Sequence, residues 1–198
     1  MMNRLLGVVC LILLLAEALL VILSWLLSAM MLEGVRSLLS SEGIRWFFGS
    51  FTNLMASPLL VWLVLLLSAL GCLQKSGAVS LFRQSSLFTY REKTALRVAT
   101  MFLILYLVII ALLTMTPHAI LLSATGELFP SAFSRSLVPI IAFGIILFSV
   151  SFAMMAGHVR TISDILQIAS FGIAKGAPLF IVLILLIQFW ESIRFVFG

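Results

Sequence analysis

The sequence predicts an all-α integral membrane protein with about five transmembrane helices and two interfacial amphipathic helices. Hydrophobic residues make up 63% of the 198-residue chain and charged residues only 10%, and the mean hydropathy of +1.28 lies outside the range of soluble globular domains. Five apolar runs approach or exceed the roughly 18–20 residues that cross a bilayer. Their continuous apolar tracts lack the alternation of a membrane β-strand, so every crossing is predicted to be helical.

The apolar runs define the spans of one predicted membrane domain, residues 1–198. The spans are predicted at about 5–31, 57–73, 98–115, 133–156 and 177–196. The first run is too long for the core of a signal peptide, so we expect it to be a permanent helix.

Two connecting segments, residues 41–56 and 158–176, carry apolar residues at helical spacing with polar residues on their other faces. This pattern predicts amphipathic helices that lie in the membrane interface. A connector that covers the helix bundle explains them, and a lipid-sensing surface is the alternative. The second segment also holds the helix-contact pattern Gly172-x-x-x-Gly176, although outside an apolar span.

The distribution of Lys and Arg predicts the orientation, because cytoplasmic loops carry an excess of these residues. One side of the predicted bundle holds Arg4, Lys75, Arg83, Arg91, Lys93, Arg97, Arg160 and Lys175, and the other holds Arg36, Arg45, Arg135 and Arg194. We therefore expect a cytoplasmic N-terminus and an external C-terminus. The scattered cations and the lack of a soluble domain argue against nucleic-acid binding.

Glu17 is the ionisable residue that lies deepest in a predicted span. A carboxylate in hydrocarbon costs several kcal/mol unless it is paired or protonated, so it marks a packing or a functional site. Gln188 lies at a comparable depth in the fifth run and is a candidate partner across helices. A protonated glutamic acid that joins two helices is one interpretation, and coupling to a proton or an ion is the other.

Ser149 and Ser151 complete the candidate intramembrane polar site, in the middle of the fourth run. Serine in a membrane helix bonds back to its own backbone or to a neighbouring helix, and it also lines cavities. Pro139 is predicted to kink this helix, because proline lacks the N–H group that the helix ladder needs.

The pattern of titratable residues predicts no metal site, no cofactor and no enzyme. In the predicted topology the two histidines, His118 and His158, lie on opposite sides of the membrane. No cluster of His, Cys and carboxylate residues has metal-ligand spacing, and no serine within the bilayer has a histidine partner for nucleophilic catalysis.

Several motifs, in matching order, are similar to those of the p-aminobenzoyl-glutamate transporter (AbgT) family. Residues 39–77 contain Leu-Ser-Ser-Glu-Gly-Ile-Arg-Trp-Phe-Phe, Phe-Thr-Asn-Leu, Ser-Pro-Leu and Leu-Gln-Lys-Ser-Gly. Residues 130–133, Pro-Ser-Ala-Phe, and 137–141, Leu-Val-Pro-Ile-Ile, resemble the family's Pro-Ser-Pro-Phe and Ile-Val-Pro-Leu-Ile. The similarity covers roughly three quarters of the chain.

The resemblance implies a dimer with the scaffold part of these carriers. Family members are more than twice as long and carry two re-entrant hairpins, which hold the substrate and ion positions. This chain lacks the block with the first hairpin between Gly77 and Leu87, and it stops at Gly198, before the second. None of the family's substrate or ion residues can therefore be carried over.

Two functions follow as expectations. The first is a non-transporting scaffold or accessory subunit that forms a homodimer or another homo-oligomer, or joins a membrane partner subunit. The alternative is a small carrier of p-aminobenzoyl-glutamate or related organic anions that is assembled as an oligomer.

Overall fold

A computed structural model describes residues 2–31, 34–79, 89–115 and 132–198, and every secondary-structure element in these ranges is helical. The helices are α1 (Met2–Ala29), α2 (Ser41–Gly49), α3 (Phe51–Met55), α4 (Pro58–Lys75), α5 (Tyr90–Met115), α6 (Ala132–Ala156) and α7 (Ile162–Phe197). Five of them, α1, α4, α5, α6 and α7, are long and apolar enough to cross a membrane. The predicted fold class, a helical membrane protein with about five spans, is confirmed.

The predicted helix over residues 41–56 consists of two short helices, α2 and α3, separated by Ser50. Ser40 is the N-cap of α2, because its Oγ accepts a hydrogen bond from Gly43 N at 3.0 Å and donates one to Ser37 O at 2.7 Å. A Cβ on Gly43 would overlap the backbone of Ser37 and Leu38, so this turn requires glycine.

The largest difference from the predicted elements lies at α7. Residues 158–176 and 177–196 were expected to be an interfacial helix and a separate span, but residues 162–197 form a single helix of 36 residues. At 1.5 Å per residue this helix is about 54 Å long, more than the thickness of a bilayer with its headgroups. It continues through Pro178. Proline is tolerated inside membrane helices because neighbouring groups can satisfy the freed backbone carbonyl.

The contacts group the chain into two compact units, Met1–Val61 with Gly176–Gly198, and Trp62–Lys175. The core of the first unit contains Leu20, Leu38, Phe195 and Val196. Ser24 of α1 holds the segment that follows α1 against this helix, because its buried Oγ accepts a hydrogen bond from Leu38 N at 3.2 Å.

The second unit is built around the α5–α6 pair and α4. Buried alanines at positions 78, 95 and 99 pack with Phe148 and Phe152, and a second cluster joins Cys72, Ala153, Val159 and Ile168. The small side chains of the alanines and of Cys72 let the helices approach closely, as is typical of membrane bundles.

In this second unit, Gly71 of α4 lies directly against Gly172 of α7. A Cβ on Gly172 would overlap Leu67 O and the backbone of Gly71, and a Cβ on Gly71 would overlap Gly172. One turn earlier on both helices, Ser68 Oγ donates a hydrogen bond to Ala169 O at 3.1 Å. Gly172, the first glycine of the weak pattern at 172–176, thus lies at a helix contact, with Gly71 as the partner.

Helix α6 ends in a Schellman motif. Gly157 has a φ of +82°, and His158 N donates a hydrogen bond to Ala153 O at 2.9 Å. His158 then contributes its ring, whose Nδ1 lies 2.9 Å from Ser76 O. Because a carbonyl oxygen only accepts, this nitrogen carries the proton. His158 therefore caps the carboxyl end of α4.

Candidate functional site

The first unit contains a chain of polar side chains between α1 and α7. Ser192 Oγ donates a hydrogen bond to Glu17 Oε1 at 2.6 Å, and Gln188 Nε2 donates one to Ser192 Oγ at 3.5 Å, the long limit for such a bond. Gln188 and Ser192 are buried, and Glu17 is half-buried. We call these three residues the polar chain.

The helices on either side position the polar chain. Gln188 and Ser192 are four residues apart, so they lie one above the other on the same face of α7. One turn beyond Glu17, Leu20 belongs to the same core cluster as Phe195 and Val196 of α7. The polar contact therefore continues directly into an apolar one along both helices.

Two oxygen atoms of the polar chain are buried and have no hydrogen-bond partner among the described residues: Glu17 Oε2 and Gln188 Oε1. Buried polar atoms are normally satisfied, so two orphans in one cluster need an explanation. A bound cation would supply one, because both orphans are acceptors.

Ser149 and Ser151, the other two predicted site residues, belong to the second compact unit. Ser149 is fully buried and its Oγ has no partner among the described residues, whereas Ser151 is half-buried. Two cavities are described in this unit, and neither is lined by Ser149 or Ser151.

These two cavities are almost entirely apolar. The first, of about 320 Å³, is lined by Leu73, Leu103, Tyr106, Leu107, Ile140, Ile141, Gly144, Ile145 and Phe148. The second lies beside Pro139, and helix α6 continues through this residue. Tyr106 OH donates a hydrogen bond to Ile140 O at 3.0 Å, next to the proline. The Tyr106 hydroxyl is thus bonded to a backbone carbonyl. The kink predicted at Pro139 stays a prediction.

A more open cavity of about 550 Å³ lies in the first unit, lined by Trp46, Glu191, Ile193, Arg194, Phe195, Phe197 and Gly198. Its aromatic wall is a stack of Trp46 on Phe195, with ring centroids 4.5 Å apart. Arg194 Nη1 pairs with Glu191 Oε1 at 3.3 Å. None of the residues of the polar chain lines this cavity.

Within the described ranges, no three His, Cys, Asp or Glu residues come together in a way that would hold a metal ion. His158 is engaged with Ser76 O, and His118 lies outside the described residues. Residues 130 and 131 of the AbgT-like motif also lie outside them.

The residue that the sequence analysis missed is Ser192. Gln188 was predicted to contact Glu17 directly, whereas the described contact runs through the serine hydroxyl. The spacing of Gln188 and Ser192 by four positions was the available signal, since residues at this spacing share a helix face.

No protein-family model, no curated protein and no solved structure matches this chain. The AbgT resemblance therefore rests on the sequence motifs alone.

Proposed function

We propose that this protein is a non-transporting membrane scaffold or accessory subunit, related to the scaffold part of the AbgT carriers. In this proposal it lies in the bacterial inner membrane with its N-terminus in the cytoplasm, and it acts through assembly as a homodimer or larger homo-oligomer, or with a membrane partner subunit. The observation that carries the proposal is the use of the one deep carboxyl group, Glu17, in a helix-to-helix hydrogen bond.

A carrier needs polar groups around a path that a solute can follow, and secondary transporters build such paths from discontinuous helices near the bilayer midplane. Here the five long helices are continuous over their described lengths. The described cavities of the second unit are lined by apolar side chains and the Tyr106 ring, and Glu17 and Gln188 line none of the described cavities. These features support structural use of the polar residues.

In a scaffold, the polar chain has a clear physical role. Membrane helices gain little from hydrophobic association, because the lipid is as apolar as the side chains. A hydrogen bond such as that between Ser192 and Glu17 therefore fixes which face of α1 meets α7.

The alternative, a small carrier of p-aminobenzoyl-glutamate or related organic anions, is favoured by one specific observation. Glu17 Oε2 and Gln188 Oε1 are buried and unpartnered among the described residues. Two such acceptors in one cluster suit a site that takes up a proton or a cation during transport.

Uptake of radiolabelled p-aminobenzoyl-glutamate into proteoliposomes separates the two functions. The liposomes carry an imposed pH gradient and hold either the native protein or the Glu17→Gln variant. We expect no uptake above empty liposomes from either protein. We also expect the variant to keep the native oligomeric state in light scattering, because glutamine retains an acceptor for Ser192.

Uptake that requires the native protein and disappears in Glu17→Gln would overturn the scaffold proposal in favour of a carrier. A native protein that is monomeric in nanodiscs at every concentration would contradict the homo-oligomer. Circular dichroism of both proteins provides the control for folding.

A further inference from the structure

Two lysines of the second unit converge on one aromatic ring. Lys75 is the last residue of α4, and Lys175 lies on α7. The Nζ atoms of Lys75 and Lys175 lie 5.3 Å and 6.0 Å from the centroid of the Phe171 ring. Lys175 Nζ also donates a hydrogen bond to Gln74 Oε1 at 3.3 Å. Two like charges are thus held around one half-buried phenylalanine.

Among the described residues, no carboxylate pairs with either lysine. Within the described residues the one salt bridge joins Arg194 to Glu191, so neither lysine has an acidic partner there. A lysine at the end of a membrane helix usually extends toward water, where its charge is hydrated. Here both ammonium groups lie near the same ring, and both side chains stay exposed to solvent.

The contact between Gly71 and Gly172 brings the two lysines close to each other. A Cβ on either glycine would overlap the other helix, so the two backbones are held in contact one turn before Lys75 and Lys175. The two positive charges are therefore brought together by backbone packing.

The surface next to the lysines is apolar. Leu66 and Leu70 precede Gln74 by two turns and one turn on the same face of α4, and they are 38% and 47% exposed. The face therefore changes from exposed leucine to amide and ammonium groups at the end of the span. This is the profile of a phospholipid, with an acyl chain beside the leucines and a phosphate at the lysines.

We propose that Lys75, Lys175 and Gln74 bind the phosphodiester headgroup of an anionic phospholipid, such as phosphatidylglycerol, whose acyl chain lies along Leu70 and Leu66. The ammonium groups neutralise the phosphate, and the amide group of Gln74 helps to orient it. Basic pockets between membrane helices on the cytoplasmic side are a known kind of lipid site. Free phosphate is also negatively charged, but it has no acyl chain that could contact Leu66 and Leu70.

The test titrates phosphatidylglycerol or phosphatidylcholine into the purified protein in an uncharged detergent and counts bound lipid by native mass spectrometry. We expect the native protein to retain phosphatidylglycerol over phosphatidylcholine. The Lys75→Gln/Lys175→Gln variant should bind it roughly 25-fold more weakly, about fivefold for each lysine removed. A matched control, Lys93→Gln/Arg160→Gln, removes the same charge from exposed positions of the same unit and should bind as the native protein does.

Three results would overturn the proposal. Equal retention of phosphatidylcholine would show that charge is not recognised. An equal loss in the Lys93/Arg160 control would show a diffuse charge effect. Displacement of phosphatidylglycerol by inorganic phosphate at comparable concentration would identify a free anion as the ligand.

Folding of each variant is checked by circular dichroism and thermal unfolding. If the double glutamine variant does not fold, the single variants Lys75→Gln and Lys175→Gln decide the outcome with an expected fivefold loss each. Lys75→Arg/Lys175→Arg keeps both charges and should retain the lipid, and loss of binding in this folded variant would contradict recognition by charge.

Discussion

The two ends of helix α7 pack in different ways. Toward its start, Gly172 meets Gly71 of α4 with backbone against backbone. Near its end, Ser192 meets Glu17 of α1 through a side-chain hydrogen bond. The two contacts belong to different compact units. Both solve the same problem, which is to hold helices together in a solvent that is as apolar as their side chains.

The difference shows what each solution demands of the sequence. The contact between Gly71 and Gly172 depends on the absence of side-chain atoms, because a Cβ on either glycine would overlap the backbone of the other helix. The polar contact depends on particular donors and acceptors, and it leaves two oxygen atoms unpartnered among the described residues. We therefore expect the first contact to be sensitive to volume and the second to be sensitive to chemistry.

The substitution Gly172→Ala should have the largest effect. Its Cβ would overlap Leu67 O and Gly71, so α4 and α7 must move apart. Overpacking of this kind costs about 1–3 kcal/mol of unfolding free energy. The measurement is unfolding in mixed micelles followed by circular dichroism.

The matched control for this substitution is Gly7→Ala in α1, where an added Cβ meets nothing within 4 Å. Alanine favours a helix over glycine by up to about 1 kcal/mol, so this change should be neutral or stabilising. Effects of the same sign and size at the two glycines would contradict the backbone contact.

Ser192→Ala should have the second largest effect, a loss of about 1 kcal/mol of unfolding free energy in the same assay. The change removes the donor to Glu17 Oε1 and the acceptor of Gln188 Nε2. The control is Ser170→Ala on the same helix, because the described hydrogen bond of the exposed Ser170 goes to Gln167 O of its own helix. If the two alanine variants unfold alike, the polar chain does not hold α1 to α7.

The five long helices could be predicted from the sequence because the information that fixes them is local. A run of apolar residues longer than the bilayer core can satisfy its backbone only as a helix. The boundary inside α7 was wrong for a related reason. Gly176, Ala177 and Pro178 read as an end of a helix in water, but in a membrane helix proline is tolerated.

The partners of each helix could not be predicted in the same way. Glu17, Gln188 and Gly172 all stood out, because each is unusual within its own segment. Gly71 and Ser192 did not, since a small residue or a serine near the end of a span is common. Their roles depend on residues far away in the chain, which periodicity within one helix does not reveal.

The smallest effect is expected for Ser68→Ala, which sharpens the comparison within the glycine contact itself. Ser68 Oγ donates to Ala169 O, one turn from Gly71 and Gly172. Hydrogen bonds between membrane helices average about 0.6 kcal/mol, and this carbonyl also accepts within its own helix, so the loss should not exceed that value. Thr100→Ala, which removes hydrogen bonds to Leu96 O and Arg97 O within α5, provides the control.

A loss in Ser68→Ala as large as that in Gly172→Ala would mean that α4 and α7 are held by hydrogen bonding, as α1 and α7 are. A negligible loss beside a large effect at Gly172 would establish that backbone proximity alone is sufficient at this contact. In that case the contact between the two glycines would also position the neighbouring Lys75 and Lys175. Gly172→Ala should then weaken the retention of phosphatidylglycerol as well as lower the free energy of unfolding.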